Sequence, residues 1–280
     1  MTSSTPDALW SSRSVRLLRP AAVEVRGLRS RRRFRRGERD ERLRGVDLSV
    51  PVGARLLVVA RPEGAASLLL RILAGMVRPA AGSISLAGVA RADETPLGWR
   101  RRVGHVGAQP AIYPWLSPRE ALHLAGRLAG MSGEERDRRV DEALERFGLL
   151  PDAARPMTRG GPAVAQKTAL AAALLTDPEV LLLDEPLRAV DPDERGRLLS
   201  LPGRRRTILL ASRYPASEEG LVNQVALIRE GRVALHASIG DLAAAGLPLS
   251  GRGIEELAGR VAAVPAYASA AAVPADAASR

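Results

Sequence analysis

Two stretches of this chain carry residue types that could act on a phosphate. VLLLDEP, residues 180–186, delivers Asp184 and Glu185 at the end of four apolar residues. A short apolar run of this kind reads as a buried strand, and its C-terminal end is where ligands bind in open α/β sheets. Two adjacent carboxylates there can divide labour. One can hold Mg²⁺, and the other can orient or deprotonate a water. The plainer alternative is an acidic strand end that meets solvent. The second stretch, VVARPEGAASLLLRILAG at 58–75, is an apolar run, a short loop and a leucine-rich helical pattern. That is the frame of a phosphate-binding loop, strand–GxxxxGK[ST]–helix. Its loop nevertheless holds one glycine, no lysine and a glutamate.

The elements that would position these residues alternate along the chain. VEVRGL (23–28) and LRGVDLSVP (43–51) read as strands, with RSRRRFRRGERDE between them as a polar hairpin loop. ARLLVVA (54–60) is a central strand, ASLLLRILAGM a helix, and GSISLAG (82–88) a further strand. The middle is helical. In LSPREALHLAGRLAG, Ser117, Pro118 and Glu120 spell a capping box with proline at the first helical position. Ser132 and Glu135 are expected to form the same box, ahead of an apolar face of Val140, Ala143, Leu144 and Phe147. QKTALAAALLTDPEVLLLDEP passes from helix to strand, and RTILLAS (206–212) is another buried strand. QVALIREGRVALHAS is a hairpin turning at Arg229-Glu230-Gly231. No internal repeat is present.

The chain of 280 residues bounds one medium domain with appendages, or two small ones. It has no cysteine, which excludes a disulfide framework and a Cys-based zinc site and fits a reducing compartment. No apolar run reaches the roughly 18–20 residues of a membrane span, and MTSSTPDALWSS lacks a signal-peptide layout. The expectation is a soluble, cytoplasmic chain. Its net charge of +11 is concentrated: Arg13 to Arg44 hold thirteen arginines against Glu24, Glu38, Asp40 and Glu41, a local balance of +9. Such a block could meet an anionic membrane, nucleic acid or an acidic partner. The simpler account is a solvated basic turn in an arginine-biased chain, since Lys167 is the single lysine. Phe34 stands alone there, so no base-stacking surface accompanies the charge.

The order of blocks resembles the ATP-binding cassette family, the nucleotide-binding subunits of ABC transporters. ILAGMVRPAAGSISLAG (72–88), VGAQPAIYPWLSPREAL (106–122), ALAAALLTDPEVLLLDEP (169–186), DPDERGRL (191–198), TILLASRYPASEEGLVNQVALIREGRVALHAS (207–238) and GIEEL (253–257) carry the resemblance, over roughly residues 22–260. It implies an α/β, P-loop NTPase-like fold. A RecA-like mixed sheet core would be joined by an N-terminal antiparallel β subdomain and a helical subdomain at about 110–165. Residues 1–21 would be a flexible lead and 261–280 a disordered Ala/Pro-rich tail. The IYPWLSPREAL block and the IEEL close look most like subunits that power small exporters of lipophilic compounds.

Carried over residue by residue, the resemblance implies Glu185 as general base, Asp184 and the Ser67 hydroxyl as Mg²⁺ ligands, and Asp191 as the aspartate of the loop after the acidic strand. The phosphate loop falls on Ala60, Arg61, Pro62, Glu63, Gly64, Ala65, Ala66, Ser67 and Leu68, with Ala66 at the family lysine. A charge-assisted hydrogen bond from that lysine is worth ~1.5–3 kcal/mol. Family glycines fall on Ala60, Glu63 and Ala65, where a left-handed backbone would cost ~1–2 kcal/mol. Glu63 at about 5 Å from a phosphate charge, at an effective dielectric of about 20, would repel it by ~3 kcal/mol, less where water screens. The family's loop glutamine aligns with Ala108, with Gln109 one place on. The signature that grips the partner's nucleotide aligns with Gly160, Gly161, Pro162, Ala163 and Val164, or with Thr158, Arg159, Gly160 and Gly161 if a helical turn is inserted. Arg213 stands at the switch histidine, and an arginine cannot exchange a proton near neutral pH. The adenine-stacking aromatic would lie near Arg32, with Phe34 as candidate.

These substitutions imply a cassette with ATP and Mg²⁺ binding in doubt and standalone hydrolysis lost. It would be paired with a second cassette, in a homo- or heterodimer, and docked on a membrane permease at the inner face of the cell membrane. Two alternatives remain open: an ATPase subunit active only in a complex, and a soluble regulatory or nucleic-acid-binding protein on the same scaffold.

Overall fold

The computed structural model describes residues 21–31, 33–35, 38–40, 42–61, 63–200 and 206–263, with the backbone alone at 33–35 and 38–40. The expected lead apart from Ala21, most of the expected tail, Arg32, Pro62 and the side chain of Phe34 lie outside the described residues.

In chain order the strands are β1 (Ala21–Arg29), β2 (Arg33–Arg35), β3 (Glu38–Asp40), β4 (Arg44–Pro51), β5 (Arg55–Arg61), β6 (Ala81–Leu86), β7 (Val89–Ala90), β8 (Val103–Val106), β9 (Val180–Asp184), β10 (Thr207–Ala211), β11 (Gln224–Arg229) and β12 (Arg232–Ser238). The helices are α1 (Ala65–Leu73), α2 (Pro96–Arg102), α3 (Pro118–Leu128), α4 (Gly133–Arg146), α5 (Met157–Leu174), α6 (Pro192–Ser200), α7 (Ile239–Ala244) and α8 (Gly251–Ala263). The expected polar loop after β1 contains a strand pair of its own, β2 with β3. Helix α8 runs to Ala263, past the expected boundary at Arg260.

Two sheets organise the chain. One is antiparallel in the order β4-β1-β6-β7, and the other has six strands in the order β12-β11-β5-β10-β9-β8. In the second, β11, β5, β10, β9 and β8 run parallel and β12 returns antiparallel at the edge. The continuous apolar run of β5 follows from burial on both faces. Leu57 and Val59 join a core with α3, α4 and α5, whereas Leu56 and Val58 join a core with α1 and the antiparallel sheet. Trp99 is sealed into that second core, and its indole nitrogen donates to the Leu73 carbonyl at 2.8 Å.

Local signals hold where they are self-contained. Ser117 and Glu120 form the reciprocal capping box of α3 behind Pro118. Ser132 caps α4 through the Glu135 amide, but the Glu135 carboxylate pairs with Arg139 one turn on, at 2.9 Å, so half of that expected box is replaced by an ion pair. The β11–β12 turn places Glu230 and Gly231 at positive φ, as a tight hairpin turn requires. No helix among the described residues is long and apolar enough to cross a membrane.

Candidate functional site

The C-terminal ends of β9 and β10 lie level, with Asp184 beside Ala211, and β5 runs on past Val58, the partner of Ala211, to Arg61. A cavity of about 330 Å³ opens there. It is lined on one side by Ala60, Arg61, Glu63, Gly64, Ala66 and Ser67, and on the other by Asp184, Glu185 and Arg213. Residues distant in sequence thus converge at the edge where an open parallel sheet binds ligands.

The loop between β5 and α1 holds one glycine and no lysine. Gly64 adopts φ 86° at the N-cap of α1, so the one glycine occupies the left-handed position. Ala60, Glu63 and Ala65 are not at positive φ, and the strain considered for their Cβ atoms does not arise. The first turn of α1 carries no acidic residue, and Leu68 closes that turn by donating to the Gly64 carbonyl at 3.0 Å. Its free N–H groups favour an anion. Ala66, at the family lysine, is 7% exposed and offers a methyl group. Glu63 is exposed, which moderates its repulsion of a phosphate.

Ser67 and Asp184 meet across the cavity, the hydroxyl donating to Oδ1 at 3.0 Å. Burial pushes the Asp184 carboxyl above its ordinary range; the Ser67 hydrogen bond opposes this, the Glu185 charge adds to it, and Arg213 and Arg71 counter it. A hydroxyl and a carboxylate in reach of each other suit Mg²⁺, which takes few protein oxygens and completes its shell with phosphates and water. The donor set therefore fits the metal, and the loop's cation on the cavity wall is Arg61, with Ala66 where the family resemblance implies a lysine.

Glu185 has both oxygens engaged. Its backbone is at φ 47°, and its amide donates to the Ala211 carbonyl at 2.9 Å. Oε1 accepts from the Arg213 amide at 2.6 Å, with Arg213 Nε at 3.4 Å. Oε2 accepts from Arg188 Nε at 2.8 Å. Arg188 Nη2 also donates to Ser212 Oγ and to Glu218 Oε1, the latter at 2.7 Å. Glu218 is 0% exposed, and its Oε2 accepts from Arg195 Nη2 at 2.5 Å. Arg195 donates further to the carbonyls of Pro186 and Ser217. Tyr214 lies under both Arg188 and Arg213, with centroid distances of 5.3 and 5.9 Å.

The remaining candidates fall elsewhere. Ala108 lines the cavity, whereas Gln109 is exposed and does not. Gly160, Gly161 and Asp191 do not line the cavity. Gly161 interrupts α5 at φ 76° and ψ 178°, because Pro162 disfavours helical backbone in the residue before it. Asp191 caps α6, accepting from the amides of Asp193 and Glu194 at 2.9 and 3.3 Å. Arg188, Arg195 and Glu218 were not among the sequence candidates. An arginine within the otherwise apolar or acidic DEPLRAVD was the available signal.

Comparison with known proteins follows the same outline. The family model described as ABC transporter matches residues 43–188. The chain is 33% identical over 207 residues to the daunorubicin resistance ATP-binding protein DrrA3 of Streptomyces coeruleorubidus, covering 72% of this chain and 65% of that protein. It is 36% identical over 234 residues to the aliphatic sulfonates import ATP-binding protein SsuB of Pseudomonas putida, covering 81% of this chain and 80% of that one. A dimeric ATP-binding cassette in a post-hydrolysis state, bound to ADP and Pi, superposes with a TM-score of 0.70 at 20% identity, over 78% of this chain and 98% of that chain. With the two sheets, the helical layer and the cavity at the strand ends in the expected places, the chain belongs to the ATP-binding cassette family of ABC transporters.

Proposed function

We propose that this chain is a cassette subunit of an exporter-type membrane transporter that no longer turns over ATP by itself. It acts as a structural or regulatory partner, docked on a permease at the inner face of the membrane and paired with a second cassette. The observation that carries this reading is Ala66: a buried methyl group stands at the start of α1 where the family places a lysine. Losing a charge-assisted hydrogen bond weakens phosphate binding by ~1.5–3 kcal/mol. The loss is larger in a transition state that gathers charge. Arg213 at the switch position and Pro162 within the signature add to it.

The relatives divide between drug resistance and import by name. The IYPWLSPREAL block favours the exporter type, and it also presents an exposed aromatic pair. Tyr113 and Trp115 stack at 4.9 Å and are 54% and 65% exposed. An apolar surface of that kind suits a helix of a membrane subunit. When bound, Mg²⁺ would neutralise phosphate charge beside Ser67 and Asp184; these two residues would hold it, and the α1 N-terminus would face the phosphates.

The test is nucleotide binding and turnover by the purified chain, alone and with its permease. Weak Mg-ATP binding, with no turnover that depends on Glu185, is expected. Micromolar Mg-ATP binding with turnover abolished by Glu185→Gln would refute the reading. A second reading, an ATPase active only in its complex, is favoured by the retained Ser67–Asp184 pair. It predicts Glu185-dependent turnover that appears only when permease and second cassette are present.

A further inference from the structure

Arg188 sits at the centre of three acceptors contributed by separate parts of the chain. Glu185 follows β9, Ser212 follows β10, and Glu218 lies in the 3-10 turn beyond it. Its guanidinium is the cation on which two carboxylates and a hydroxyl converge. Hard oxygen donors in that arrangement are the set that otherwise selects a divalent ion such as Mg²⁺ or Mn²⁺. Arg188 pairs with both Glu185 and Glu218, and Arg195 pairs with Glu218. The pairing is built into the interior. Glu218 is fully buried, Arg195 is held by two backbone carbonyls besides Glu218, and Tyr214 covers the Arg188 plane.

We propose that Arg188 is a resident cation filling what would otherwise be a divalent-metal position between Glu185, Glu218 and Ser212. It thereby fixes Glu185 as a structural ion-pair partner that ties the β9 end to the loop after β10. Arg188 is a positioning residue in this account, because it acts on the strand-end carboxylate and not on a nucleotide. The assignment deepens the reading of a cassette without its own turnover: a carboxylate with Oε2 on Arg188 and Oε1 on the Arg213 amide has both oxygens committed to neighbouring groups of the chain. It differs from the Ser67–Asp184 pair across the cavity, which keeps its own hydrogen bond and involves none of the three acceptors around Arg188.

The experiment uses the purified full chain, without nucleotide, and Mn²⁺ as the probe, with free Mn²⁺ read by electron paramagnetic resonance. Arg188→Ala is expected to bind Mn²⁺ roughly tenfold or more tightly than the wild type, because two carboxylates are left converging on a vacated space. Arg188→Gln, which keeps most of the side-chain volume and drops the charge, should gain as well and carries the comparison if the alanine variant does not fold. Arg188→Lys keeps a cation in place and should stay at the wild-type level. Adding Glu185→Gln to either neutral variant should abolish the gain. Equal Mn²⁺ affinity in the wild type and the neutral variants overturns the proposal. So does wild-type Mn²⁺ binding that Glu185→Gln removes. Turnover of Mg-ATP by the wild type would refute the proposed function through a separate assay, leaving the Mn²⁺ comparison to decide the role of Arg188.

Discussion

Replacing Glu218 with alanine withdraws a carboxylate shared by two arginines, in a place water does not reach. Glu218 is 0% exposed and accepts from Arg188 at 2.7 Å and from Arg195 at 2.5 Å. Arg188 would keep Glu185 and Ser212. Arg195, with a side chain 9% exposed, would keep its bonds to Pro186 and Ser217 but lose its only anion among the contacts described. Removing one partner of a buried pair costs about 3–5 kcal/mol, because the other charge stays buried and uncompensated. In a chain of this size each kcal/mol lowers the melting temperature by roughly 2–4 °C, so the drop should be roughly 6–20 °C. Circular dichroism melts of the purified chain measure it. Because the pair is buried, the loss should persist in high salt, where an exposed pair would be screened. Glu218→Gln, which keeps an acceptor oxygen, should lose less than the alanine variant. A drop under about 2 °C would place the pair with exposed ion pairs, worth up to about 1 kcal/mol, and refute the buried network.

Asp184→Asn should raise the melting temperature at neutral pH. The folded carboxyl titrates above its ordinary value, so the native state holds the extra proton and stability falls as pH rises through that window. The advantage of asparagine should therefore vanish below about pH 4, the ordinary carboxylate range, in melts recorded across pH. In the phosphate loop, Ala66→Lys with Ala65→Gly and Glu63→Gly should tighten a fluorescent ATP analogue by roughly 10- to 150-fold, the worth of one charge-assisted hydrogen bond. No change in titration would place the lesion beyond the loop. Gly161→Ala should destabilise by about 1–3 kcal/mol in urea unfolding, because its backbone is in a region open essentially to glycine, and no atom lies within 4 Å of the new Cβ to share the blame. In a Pro162→Ala background the same substitution should cost less, since residue 161 is then free to become helical.

The parts of this fold that could be read along the chain are those whose cause is local or periodic. The apolar runs of β5, β9 and β10 announce burial on both faces, and the α3 capping box is complete within four residues. The α4 box was half right because a nearby arginine offered the Glu135 carboxylate a better partner than the helix end. At the site, the apolar strand before Asp184 places that carboxylate on the sheet edge, whereas Ser67 is reached only through the family resemblance; the fold sets the two at hydrogen-bond distance. The chemistry of Glu185 was not legible, since it depends on Arg188 and on groups up to thirty-three residues away that only the fold brings together. Nothing in the residue types of YPASEEG marks one of its two glutamates for burial, yet the segment supplies the fully buried Glu218. A polar side chain can be buried there because two arginines, themselves held by backbone carbonyls and a tyrosine ring, satisfy it. A strand-end motif therefore locates a carboxylate on the sheet, while the side chains packed around it decide whether its lone pairs face a substrate or a neighbouring cation.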